Sequence, residues 1–198
     1  MCHGRFVTVA DLQTFSIAEQ HALVLDGIAR RSWHSIAPLA PIDPVAFRLQ
    51  AIMPRDAERA VAVGITAVWV LGLTLTPPRT VEIAGIDGVR LYDTRREVRV
   101  REMAIPLGDC HRFGGYLVTT PNRTAADIAR YGAEDTEAVL QQIAAHPDFD
   151  AEKVCDVFAR TPHLPYVRRA RRRLRSTLTH PVGVINAIDP SNTVQQPL

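Results

Sequence analysis

Apolar positions recur along this chain with a period that changes several times, and the changes divide it into segments. Near the front, Thr8-Val9-Ala10-Asp11 and Ser16-Ile17-Ala18-Glu19 each set a hydroxyl three residues before an acid. That arrangement satisfies the free amides at a helix start. Two such starts in close succession predict a tight helix-turn-helix. Its second helix is expected from Ile17 to about Asp26, with Ile17, Leu23 and Val24 facing inward and Gly27 as a left-handed stop. Ile28 to Trp33 then reads as a strand, the wing of a winged helix. Pro38, Pro41 and Pro44 follow and mark a linker, because each removes a backbone donor and pushes its predecessor out of the helical region.

From Val45 the spacing turns helical, with Phe47, Leu49, Ala51 and Ile52. After Pro54, the alanine- and valine-rich run from Arg55 to Leu71 is apolar nearly all round, so it is expected to be one buried helix. Thr80 to Ala84, Val89 to Tyr92 and Glu97 to Arg101 alternate as strands do, with turns at Gly85, Gly88 and Asp93 to Arg96. Arg99 and Arg101 fall on one face, opposite Val98 and Val100. Gly114-Gly115 is a turn before a strand from Tyr116. Thr120 then caps a helix whose first position is Pro121, where a missing amide costs nothing. Helices are expected from Asp135 to Ala145, from Asp150 to Ala159, and from near Pro165 with Val167, Ala170, Leu174 and Leu178 as an apolar stripe. The expected class is α+β: a winged helix-turn-helix with a shortened first helix over residues 1–44, a mixed α/β domain with a small, mostly antiparallel sheet over 45–180, and an irregular tail over 181–198.

Charge refines this picture through its distribution. Lys153 is the only lysine, and an arginine skew of this kind follows genome composition as readily as nucleic-acid binding. The whole chain carries +2, yet Tyr166 to Ser176 holds six arginines and no acid, so the remainder carries −4. The molecule therefore has a basic pole. No apolar run approaches the roughly 18–20 residues that cross a bilayer. The first residues lack a secretory apolar segment, and three scattered cysteines suit a reducing compartment; the cytoplasm is expected. Cys2-His3 and Cys110-His111 lack zinc-site spacing, and there is no glycine-rich phosphate loop, serine elbow or HExxH stretch, so neither metal, cofactor nor catalysis is expected.

The stretch Gly115-Tyr116-Leu117-Val118-Thr119-Thr120-Pro121-Asn122-Arg123-Thr124-Ala125-Ala126-Asp127-Ile128-Ala129-Arg130 resembles the strand-to-helix hallmark of AbiEi-family antitoxins. In that family a small-residue turn, an Arg-Thr pair and an Asp four positions after the Arg recur. Ala67 to Leu73, with Pro77 and the Val81 strand, is similar to the family's buried helix, and Val167 to Leu174 to its arginine-alanine closing helix. The likeness runs from about Val7 to Leu178.

The resemblance implies an antitoxin, not an enzyme, that silences an AbiEii-like nucleotidyltransferase toxin and represses its own operon by binding operator DNA, with two copies pairing on a two-fold site. DNA contacts are then expected from Ser16, Gln20 and His21 on the recognition helix and from Arg30 and Arg31 on the wing. Residues 1–53 carry four basic and four acidic groups, which leaves open a module that caps the larger domain without touching DNA. Arg168, Arg169 and Arg172 suit the acidic cleft of such a toxin; a solvated face and a nucleic-acid surface are the alternatives. Arg123, Thr124 and Asp127 read as a corner-fixing motif with a partly buried ion pair, or as a direct grip on the toxin.

Overall fold

The computed structural model describes residues 12, 14–32, 35–38, 44–54, 58–132, 135–161 and 165–179. The Thr8 cap, Pro41 and the expected tail over 181–198 lie outside the described residues. Helix α1 (Ile17–Leu25) starts as its sequence dictates. Ser16 accepts from the Glu19 amide, and Glu19 reaches back to the Ser16 amide at 2.8 Å. It ends at Asp26, and Gly27 takes φ +70°. Strands β1 (Ala29–Ser32) and β2 (Ser35–Pro38) form an antiparallel hairpin, so the expected wing is present with a second strand, and Pro38 ends that strand. Ala29, Ile36 and Leu12 make a small apolar cluster with Leu23 and Val24. Ile17, expected to face inward, is 74% exposed, because the face that meets the hairpin runs through Leu23 and Val24.

Helix α2 (Pro44–Ile52) buries Phe47, Leu49 and Ile52 as the spacing predicts. The apolar run after it does not form one helix. It divides into β3 (Ala60–Ala62) and α3 (Gly64–Val70). The break is at Gly64, whose φ of +56° lies in the left-handed region that favours glycine. A central strand covered on both faces and a buried helix look alike in hydrophobicity, which is why the run reads as uniform. Val68 joins one core while Ala67, Trp69 and Val70 join another, so α3 is wedged between two apolar layers.

Strands β4 (Val81–Ile86), β5 (Val98–Ile105), β6 (Cys110–Phe113) and β7 (Tyr116–Thr119) complete a five-stranded sheet in the order β5-β4-β3-β7-β6. Pairings β3-β4 and β6-β7 are antiparallel, and β3-β7 and β4-β5 are parallel, so the sheet of this α+β chain is evenly mixed. Val89 to Tyr92, expected as a strand, is not one. The chain turns tightly at Asp87 and Gly88, with the Val89 amide on the Ile86 carbonyl, but both edges of β4 are already taken by β3 and β5. Tyr92 is left 91% exposed. Ala62, Ile83 and Val118 face α2 and α3 on one side of the sheet; Val61, Ala84, Leu117 and Ile105 form a smaller cluster on the other.

Four helices follow: α4 (Pro121–Tyr131), α5 (Thr136–Ala144), α6 (Ala151–Arg160) and α7 (Val167–Thr179). They bury Ala125, Ala129, Leu140, Ile143, Val154, Phe158, Ala170 and Leu174 against each other. Helix α4 is enclosed along Pro121 to Arg130, including its polar residues. On α7 the stripe runs through Val167, Ala170, Leu174 and Thr177, while Leu178, expected inside, is 39% exposed. Its place is one position beyond the buried face, which Thr177 occupies while bonding back to the Arg173 carbonyl.

Candidate functional site

The corner between β7 and α4 is built from hydroxyls and charges. Thr120 accepts from the Arg123 amide at 3.2 Å, and Pro121 takes the first helical turn, as the sequence motif requires. The Thr124 and Thr119 hydroxyls bond at 2.8 Å. Asn122 spans to the next turn, donating to the Asp148 carbonyl and accepting from the Asp150 amide that starts α6.

Arg123 is buried, not half-buried, and it holds two carboxylates. Its Nε donates to Asp127 Oδ2 and its Nη1 to Asp109 Oδ2, both at 2.9 Å, and its Nη2 reaches the Ala104 carbonyl. The chain of charges continues in both directions. Arg160 donates to Asp109 Oδ1 at 2.9 Å, and Arg130 lies 3.7 Å from Asp127 Oδ1. Arg130 also donates to the Pro165 carbonyl and to the Tyr131 hydroxyl. Three arginines and two aspartates thus alternate from the end of α6, through the corner, to Pro165, two residues before α7. Desolvation pushes the Asp127 carboxyl above its ordinary range against the pull of Arg123, while Asp127 and Asp109 hold the Arg123 guanidinium above its own despite burial. Removing a buried member such as Arg123 would strand a buried charge, a loss of about 3–5 kcal/mol.

The α7 helix that this chain helps to position carries the basic pole. Arg168, Arg169, Arg171, Arg172 and Arg175 are exposed, and none makes an ion pair among the described residues. Arg173 is different. It turns inward and donates to the Ala129 and Gly132 carbonyls, closing the C-terminus of α4. Arg48 does the same for α3 through the Trp69 and Val70 carbonyls, and Arg95 donates to Ile52, the last residue of α2. Part of the arginine excess therefore terminates helices. What remains on α7 is a face of five cations with no internal counter-charge.

Residues 60–156 match the AbiEi antitoxin C-terminal domain. The chain belongs to the AbiEi antitoxin family. Its role is that of an antitoxin in a toxin-antitoxin pair, and the family is regulatory rather than catalytic. No curated protein matches the chain. The matched AbiEi segment runs from β3 into α6 and contains Asp109, Arg123, Asp127 and Arg130; α7 lies beyond it but packs on α4 and α5. Among the described residues of this AbiEi protein, no helix is long and apolar enough to cross a membrane, and no group of three His, Cys, Asp or Glu could hold a metal ion. Burial pushes the Cys110 thiol up to about 12, so it carries no thiolate at neutral pH.

The five residues expected to meet DNA fall at the cap of α1, on α1 and on β1. His21 and Arg31 are exposed. The Ser16 hydroxyl is engaged with Glu19, the Gln20 amide donates to the Phe15 carbonyl at 2.9 Å, and the Arg30 guanidinium lies 6.0 Å from the Phe47 ring centre. Asp109, Arg130 and Arg160 were not anticipated. Arg130 had a signal, since it stands three residues after Asp127 on the same helix face. Asp109 and Arg160 arrive from a 3-10 turn and a helix end far away in sequence, and no local spacing marks them.

Proposed function

We propose that this chain silences a nucleotidyltransferase-like toxin by laying the arginine face of α7 into an acidic cleft. The carrying observation is the set of five exposed, unpaired arginines on a helix packed against the antitoxin domain. Like charges crowded over about two helical turns repel one another, and an anionic partner relieves that repulsion. Arg168, Arg169 and Arg172 are the contacts we assign. Co-expression with the adjacent open reading frame in the cytoplasm tests this. The neighbour should arrest growth alone and be harmless alongside this chain; arrest in both cases rejects the reading.

The second half of the proposal is autoregulation. Residues 1–44 act as a winged DNA reader, separate from the domain at 45–180, and pair on a two-fold operator, with His21, Arg30 and Arg31 facing the duplex and Ser16 and Gln20 near its base edges. A mobility shift with the upstream intergenic DNA should be lost when residues 1–40 are removed. A competing reading, an interaction module that ignores DNA, draws support from the Ser16 hydroxyl, engaged with Glu19, and from a Gln20 amide N–H, engaged with the Phe15 carbonyl. No shift at low salt would favour it.

A further inference from the structure

The arginine face of α7 is not uniform. Helices α6 and α7 both pack on α4, and in the gap left between them a notch of about 180 Å³ opens beside Arg171 and Arg175. Its floor is Phe158 and Leu174, both buried, and its other rim is Cys155, exposed on α6. The two arginines stand four residues apart on one helix face, where like charges repel. Neither makes an ion pair among the described residues. Leu178, 39% exposed, lies three residues beyond Arg175 and carries the apolar strip past the notch.

Size and lining together specify what fits. The volume lies below the roughly 300–1,000 Å³ of small-molecule sites, so the notch takes a single side chain presented by something larger. A charged side chain would lose its hydration against Phe158 and Leu174. A counter-ion from solvent would neutralise the arginines and leave the apolar floor to water. An aliphatic side chain flanked by carboxylates covers the floor and pairs both guanidiniums. Anchors of this kind, one apolar side chain in a pocket within a charged surround, concentrate the binding energy of protein interfaces.

We infer that the notch receives one aliphatic side chain of the toxin, carried on an acidic segment whose carboxylates meet Arg171 and Arg175. The inference rests on the α7 face being the toxin-binding surface, and it adds Cys155, Phe158 and Leu174 to that surface.

Isothermal titration calorimetry of the full chain with the purified product of the adjacent open reading frame tests it. Cys155→Trp fills the notch and removes no arginine. It should weaken binding about tenfold or more, the scale of one lost anchor, and keep the parent's salt dependence and urea midpoint. Cys155→Ser should bind as the parent does. In the unsubstituted chain, N-ethylmaleimide should label Cys155 about tenfold more slowly in the complex than in the free protein, because thiol chemistry follows access. The labelling needs no substitution, so it decides the matter if Cys155→Trp fails to fold. Absence of binding by the parent would overturn this inference together with the toxin-binding reading. Binding by the parent, with a folded Cys155→Trp equally tight or with Cys155 labelled as fast as in the free chain, would overturn the notch alone.

Discussion

Arg173 Nη1 donates to the Gly132 carbonyl at 3.2 Å, so one half-buried arginine of the basic helix is tied back to the domain. Its neighbours at 168, 169, 171, 172 and 175 face outward. Six residues that look equivalent in sequence therefore divide into one structural and five available cations. Arg173→Ala is expected to cost about 1.5–3 kcal/mol, the usual worth of hydrogen bonds from a charged donor. Arg172→Ala should stay within about 0.5 kcal/mol of the parent. Urea unfolding midpoints of the two variants measure the difference, and equal midpoints would put Arg173 back on the surface.

The buried Arg123 sits between two carboxylates, and its loss leaves both without their shared partner. Arg123→Met should destabilise by about 3–5 kcal/mol. Arg160→Ala, at the half-exposed outer end of the same chain, should cost under about 1 kcal/mol. Adding Asp127→Leu to Arg123→Met should recover part of the loss, because it removes one stranded charge. A double variant weaker than the single one would contradict this reading of the corner.

Much of that corner was legible beforehand. The Thr120 cap, Pro121 in the first turn, and Arg123 and Asp127 four apart on one helix follow from local spacing, and local spacing is what a helix start obeys. Helices α4 to α7 were readable for the same reason. The division of Arg55 to Leu71 into β3 and α3 was not, because burial on every side erases the period that separates strand from helix. Nor was β6, whose Cys110-His111-Arg112-Phe113 has weak alternation and gains its identity from β7 beside it. Arg99 and Arg101 were placed correctly on one face, but their convergence on Glu82 depends on the parallel register of β4 with β5, a long-range fact.

The Asp93 carboxyl is held below its ordinary value of 3.8 by hydrogen bonds and charge from Arg95, which in turn closes α2. A depressed carboxylate contributes stability that is present above the unfolded value and is lost as pH falls through the folded one. The parent should therefore exceed Asp93→Asn in stability at neutral pH, and the gap should close as pH drops below 3.8. Urea midpoints taken stepwise down the acid range would show it; a gap constant across that range would dissociate Asp93 from acid unfolding.

The central claim, that the exposed arginines of α7 grip the toxin, is tested most directly by growth rescue with Arg168→Glu, Arg169→Glu and Arg172→Glu combined in the full chain. Co-expressed with the adjacent open reading frame, the parent should restore growth and the triple variant should fail while keeping the parent's urea midpoint. Full rescue by a folded triple variant would contradict it.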